Sequence, residues 1–301
     1  MLGMMDEFLP AFSQKAVTTN CPTVVQTLSE EELVNLVPQF DGWIIGDDPA
    51  TRRVFQAGKA GRLKAAVKWG VGVDNVDFTA AKELGIHVAN TPLMFGREVA
   101  DIAMAYIVAL ARETFLIHDS VRRGEWPKPR GISLQGKTLA LVGCGDIGRN
   151  IVRRALATEM KILVYDPEFR NHSDDIEVAA AEWPERIETA DFIVFACSLT
   201  PSNVHMLNES VLERVKHGVR IVNVSRGLLL DEIALAQGLS SGRVHSAALD
   251  VFEVEPLPLD SPLRQFERCI FGSHNASNTV DAVRRASSEA IKALFSFLGI
   301  A

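Results

Sequence analysis

The chain has 301 residues, 47% apolar and 23% charged, with a formal net charge of −7 and no dense run of Lys and Arg. That balance suits two globular domains of ordinary size. It speaks against nucleic-acid binding, which needs a basic surface, and the longest unbroken apolar run, Ile102 to Ala111, is too short to cross a bilayer.

The N-terminus carries no basic region of an export signal, and Cys21, Cys144, Cys197 and Cys269 lie far apart without C-x-x-C spacing. A cytoplasmic protein with reduced thiols is expected. The closest histidines, His205 and His217, are 12 apart, so no metal site is expected.

In chain order, residues 1–16 read as a helix with Met5, Phe8, Leu9 and Phe12 on one face. A strand is expected around Thr23 to Thr27, and Ser29 with Glu32 forms a capping box for the next helix. Gly42 to Gly46 reads as a buried strand, followed by an Asp47, Asp48, Pro49 turn and a helix to about Ala60. A strand from Leu63 to Trp69 runs into Gly70 to Asp77. A helix over 78–84 then ends at Gly85, and a short strand covers Ile86 to Ala89. The alternation predicts an α/β unit with a parallel sheet. A long apolar helix follows from Arg97 to about Arg112, then a polar, irregular arm over 113–137. Strands are expected at 138–142, 161–165, 192–196, 219–224, 245–249 and 269–271, and an amphipathic helix from Thr279 to Leu298.

The centre of this second half is Gly143, Cys144, Gly145, Asp146, Ile147, Gly148, a G-x-G-x-x-G turn between a strand and a helix. The first glycine allows the sharp turn, the second lets a pyrophosphate approach the backbone, and the third lets helix and strand pack closely. The phosphates then meet a helix N-terminus. A second strand ends at Asp166, 18 residues after Gly148. An acid there accepts from both ribose hydroxyls and repels a 2′-phosphate, which points to NAD rather than NADP.

Three residues near predicted strand ends are suited to redox chemistry on a carboxylic acid. Arg226 offers a planar fork of donors to a carboxylate. His274 can exchange a proton near neutral pH, and Glu255 is an acid able to favour its charged form. Taken singly, each also reads as an ordinary polar residue at a turn or loop.

Five motifs occur in a fixed order: Gly70 to Asp77, Gly143 to Gly148, Asn223 to Gly227, Ala248 to Phe252 with Glu255 and Pro256, and His274 to Ser277. In this the chain resembles the D-isomer-specific 2-hydroxyacid dehydrogenases, most closely their phosphoglycerate-dehydrogenase-like branch, from about residue 22 onward. The resemblance implies two doubly wound parallel-sheet domains, a Rossmann-type NAD domain (98–271) inserted in a flavodoxin-like substrate domain (1–97 and 272–301), with hinges near 97 and 272. It implies NAD-dependent interconversion of a D-2-hydroxy acid and its 2-oxo acid. Arg226, Glu255 and His274 would be catalytic, with Val71 and Gly72 offering N–H groups to the substrate carboxylate. Asp250 would hold the nicotinamide carboxamide, and Cys197, Val224 and Ser225 would lie along the cofactor. A homodimer is implied, with the arm and its Trp126 as the place to look; the alternative for Trp126 is packing within its own subunit.

The chain departs from the family at two places. The usual opening strand is missing, so the first sheet is expected to be a strand short. Asp47 and Asp48 stand where phosphoglycerate dehydrogenases often carry Arg-Ser, which weakens a phosphorylated substrate. Arg97 is a candidate for a second anionic group, or else a solvent-facing residue at a helix start. A glyoxylate or hydroxypyruvate reductase is the alternative within the fold; a dinucleotide-sensing, corepressor-like scaffold is the alternative from another class. No regulatory domain is expected after Ala301.

Overall fold

The protein, a computed structural model, is described over residues 1–24, 26–169 and 177–300. Its contacts divide it into two compact units, Met1–Phe95 with Asn278–Ala301, and Gly96–Ser277.

In the first unit, α1 (Met5–Ser13) places Phe8 and Phe12 one helical turn apart, and both cluster with Val283 and Ile291 of the last helix, Val280–Leu298. The capping box starts α2 (Glu30–Leu36): Ser29 accepts from the Glu32 N–H, and Glu32 accepts from the Ser29 N–H at 2.8 Å. The strand expected around Thr23 to Thr27 is not found at Thr23, Val24, Gln26 or Thr27, and Val25 lies outside the described residues. Strands β1 (Gly42–Ile45), β2 (Ala65–Lys68) and β3 (His87–Asn90) form a parallel sheet in that order, linked by α3 (Arg52–Ala60) and α4 (Phe78–Glu83).

Strand alternation decides what each face of β2 meets. Ala65 and Val67 cluster with Ala290 and Leu294 of the last helix. Ala66 joins Leu33, Val54, Phe55 and Ala80 in the core under α2, α3 and α4. Lys68 shares the face of Ala66.

The second unit opens with α5 (Gly96–Arg112), which carries the apolar run Ile102 to Ala111. The arm that reads as irregular contains a helix, α6 (Thr114–Arg122). Glu113, left-handed at φ 52°, breaks the chain between the two helices, a break that polarity alone does not reveal. Trp126 is 77% exposed, so packing within its own subunit does not account for it.

Then come β4 (Thr138–Val142), α7 (Asp146–Ala157), β5 (Lys161–Tyr165), β6 (Val178–Ala180), β7 (Phe192–Phe195), α8 (Glu209–Leu212), β8 (Val219–Asn223), α9 (Glu232–Ser240), β9 (Val244–Leu249) and β10 (Cys269–Phe271). The strands are parallel, in the order β10-β9-β8-β7-β4-β5-β6. The order reverses between β4 and β7, where open α/β sheets leave a crevice outside the strand ends for a ligand. The short β6 is an addition to the strands the sequence pattern predicts; it pairs with β5 over three residues. Among the described residues no helix is long and apolar enough to cross a membrane.

Candidate active site

The switch point is built by the glycine turn. Gly143 has φ +92°, which L side chains rarely adopt, and its N–H donates to Tyr165 O at 2.9 Å, fastening the turn to β5. Gly145 is the N-cap of α7; no side chain caps the helix, and the space a Cβ would occupy there is open. Asp146 and Ile147 begin α7. The buried Gly148 lies against the backbone of Gly143. Uncapped N–H groups at a glycine-walled helix start fit a pyrophosphate. Asp166 stands at the end of β5, its carboxylate accepting from Cys144 N at 2.6 Å and from Glu168 N at 2.8 Å.

Cys197, Val224 and Ser225 line up beyond β7 and β8. The Ser225 hydroxyl donates to Cys197 O, and Val224 N donates to Phe195 O at 3.3 Å. Burial, with Asp166 nearby, pushes the thiols of Cys144 and Cys197 up to about 11. Both stay as unreactive thiols at neutral pH.

Arg226 follows β8 in a turn held by the fully buried Asn223. That side chain donates to Arg226 O at 2.8 Å and accepts from Ser225 N at 3.0 Å. The guanidinium donates to Ser225 O at 2.8 Å. Gly227 must be glycine, because a Cβ would collide with the backbone of Phe252 and Glu253. That close approach brings the Arg226 turn beside the loop that carries Glu255.

Glu255 and His274 are brought together. His274 Nδ1 lies 2.8 Å from Glu255 Oε2, and Glu255 Oε1 accepts from Phe252 N at 3.0 Å. His274 sits in the left-handed region at φ 54°. Its N–H donates to Asp250 O at 2.7 Å, while the Asp250 carboxylate accepts from Asn275 N at 3.2 Å and Ala276 N at 2.9 Å. The 3% exposed Asp250 therefore fixes the His274 loop from beneath. Burial, with Asp250 nearby, pushes the Tyr106 phenol up to about 12. Arg226, Glu255 and His274 thus follow three adjacent strands, β8, β9 and β10, at their carboxyl ends.

Behind this group, Glu232 and Glu253 cap each other. Glu232 N donates to Glu253 Oε1 at 2.9 Å, and Glu253 N donates to Glu232 Oε1 at 2.8 Å. Burial, then the charges of Glu253 and Glu255, hold the Glu232 carboxyl above its ordinary range, against the pull of the Glu253 N–H. Arg97 is exposed in the first turn of α5.

In the first unit, the N–H groups of Val71 and Gly72 donate to no acceptor among the described residues. Thr91 Oγ1 anchors Gly70 N at 2.8 Å just before them. Lys68, which belongs to none of the motifs, ends the apolar run of β2. Its Nζ lies 2.5 Å from Gly46 O and 3.0 Å from Asp47 Oδ1. The available signal is a lysine closing an otherwise buried strand.

Comparison with known proteins places the chain among relatives. A family model described as D-isomer specific 2-hydroxyacid dehydrogenase, NAD binding domain, matches residues 104–276. The chain is 37% identical over 279 residues to a hydroxypyruvate reductase of Thermotoga maritima, covering 91% of this chain and 90% of that protein. It is 38% identical over 275 residues to a D-3-phosphoglycerate dehydrogenase of Methanocaldococcus jannaschii, covering 88% of this chain but 51% of that protein's length. Among solved structures, a glyoxylate reductase from Paecilomyes thermophila superposes with a TM-score of 0.84 at 27% identity, covering 97% of this chain and 91% of that one.

Proposed function

The chain belongs to the D-isomer specific 2-hydroxyacid dehydrogenases, NAD-dependent oxidoreductases, and from that premise we propose that it reduces a small 2-oxo acid with Arg226, Glu255 and His274 as its working residues. The observation that carries this is the 2.8 Å contact between His274 Nδ1 and Glu255 Oε2. With Nδ1 engaged, Nε2 is the ring nitrogen that gives a proton to the substrate's 2-oxo oxygen. Arg226 binds the carboxylate and draws electron density from the neighbouring carbonyl. Val71 and Gly72 act as N–H donors to the same carboxylate. NAD supplies the hydride in its reduced form and takes it up in the oxidised form. In the oxidation direction His274 Nε2 takes the hydroxyl proton, and the Glu255 carboxylate stabilises the charge that appears on the ring.

The cofactor's phosphates belong at Gly143, Gly145, Asp146, Ile147 and Gly148, and its ribose at Asp166. Cys197, Val224 and Ser225 lie along it, and Asp250 supports the nicotinamide side through the His274 loop. The chain works as a homodimer through the region after α5, and the free thiols Cys21, Cys144, Cys197 and Cys269 suit a reducing cytoplasm.

The experiment is NADH oxidation by the purified chain across glyoxylate, hydroxypyruvate, 3-phosphohydroxypyruvate and a branched 2-oxo acid, repeated with Glu255→Gln and His274→Ala. The expected result is one preferred acid. The rate falls about 10- to 100-fold in the first variant and about 100- to 10,000-fold in the second, with NADH affinity unchanged in both. Tight NADH binding with negligible rates on every acid would instead favour a dinucleotide-sensing scaffold.

A further inference from the structure

The first unit holds a buried charge that the reaction steps above do not use. The Lys68 side chain is 2% exposed, and its partner Asp47 is 46% exposed. A buried ammonium needs a counter-charge and hydrogen-bond acceptors, or it is costly to the fold. Lys68 has both, in Asp47 Oδ1 at 3.0 Å and Gly46 O at 2.5 Å.

The surrounding loops are held in place as well. Asn75 Nδ2 donates to Gly46 O at 3.1 Å and to Asp48 O at 2.7 Å. Asp48 Oδ1 accepts from Leu28 N at 2.8 Å, and Ala50 N donates to Asn75 O at 2.9 Å. The loop over 46–50 is therefore tied to the loop over 70–76.

The ammonium also lies beside the glycine turn that precedes Val71 and Gly72. A Cβ placed on Gly70 would be 3.7 Å from Lys68 Cε and 3.9 Å from Lys68 Nζ. Asp47 thus supplies the counter-charge to the cation beside that turn.

We infer that the Asp47–Lys68 pair is a specificity determinant. It cancels the positive charge beside the turn that leads to Val71 and Gly72, and so selects 2-oxo acids whose third carbon carries hydrogen or hydroxyl over those carrying phosphate or a second carboxylate. The inference rests on the proposed role of Val71 and Gly72 as carboxylate donors. An ammonium already paired offers a dianion no compensation for its lost water, and the Asp47 carboxylate repels a second negative group.

The test compares the wild-type chain with Asp47→Ser, which removes the ammonium's counter-charge, and with Asp47→Ser combined with Lys68→Met, which removes both charges. Asp47→Asn is the conservative variant should the serine disturb the loop. The wild type is expected to prefer hydroxypyruvate to 3-phosphohydroxypyruvate in kcat/KM. Asp47→Ser moves that ratio about tenfold or more toward the phosphorylated acid, and the double variant returns it. Independently of turnover, calorimetric titration with inorganic phosphate should show binding in Asp47→Ser that is absent from the wild type and the double variant. An unchanged ratio with no gained phosphate binding overturns the inference, as does a wild type that prefers the phosphorylated acid. If none of the acids is reduced, the proposed reaction fails, and the phosphate titration still decides the role of the pair.

Discussion

Asp166 and Cys144 meet across the switch point: the carboxylate at the end of β5 accepts from the backbone N–H inside the glycine turn at 2.6 Å. The bond joins the residue suited to a ribose to the loop suited to a pyrophosphate. The acid's position is therefore set by the turn itself and not by a flexible side chain reaching in.

Replacing Asp166 with serine removes the charge that repels a 2′-phosphate while leaving a small polar group at the strand end. The expected outcome is a fall of about tenfold or more in the NADH over NADPH preference, measured as the ratio of kcat/KM with the two cofactors on one acid. A ratio that does not move would show that preference is set elsewhere in the site.

Glu232 gives a pH prediction. Burial comes first among the causes that raise its folded pKa above the unfolded value. A carboxyl so raised contributes stability that is fully present below the unfolded pKa and is lost as pH rises through the folded pKa. Glu232→Gln keeps an oxygen for the Glu253 N–H without the charge. The variant should melt above the wild type near neutral pH, and the gap should close at about pH 4. Thermal melts of both chains across that range check it; a gap that does not vary with pH would contradict it.

The surface at and after α6 gives a third prediction. Phe115, Val121 and Trp126 are 51%, 42% and 77% exposed, and exposed large apolar groups so close in the chain suit an interface. Light scattering should find a dimer in the wild type. Phe115→Ser combined with Trp126→Ser should weaken it about tenfold or more, with the helix content unchanged. A wild-type monomer, or a double variant that dimerises as before, would remove this surface from consideration.

The amino-acid sequence by itself determined the elements whose cause is local. Gly143 to Gly148 demanded a turn between strand and helix, Ser29 and Glu32 demanded a helix start, and the apolar runs of the second unit lie within one or two residues of their strands. The order of motifs named the family. What the tertiary structure decided depends on residues distant in the chain. Glu113 breaks what polarity suggested was the edge of a single helix, and α6 follows. The expected strand near Thr23 finds no sheet partner among the described residues. Gly227 owes its identity to the backbone of Phe252, and the His274 loop to the carboxylate of Asp250. Lys68 closes the apolar run of β2, and its neighbours in the chain do not show what becomes of its charge. Strand alternation turns it onto the core face, where burial obliges it to take Asp47, 21 residues earlier, as its counter-charge. Turns and caps are fixed by the chemistry of neighbouring residues, whereas the fate of a charge is fixed by how much water packing removes around it.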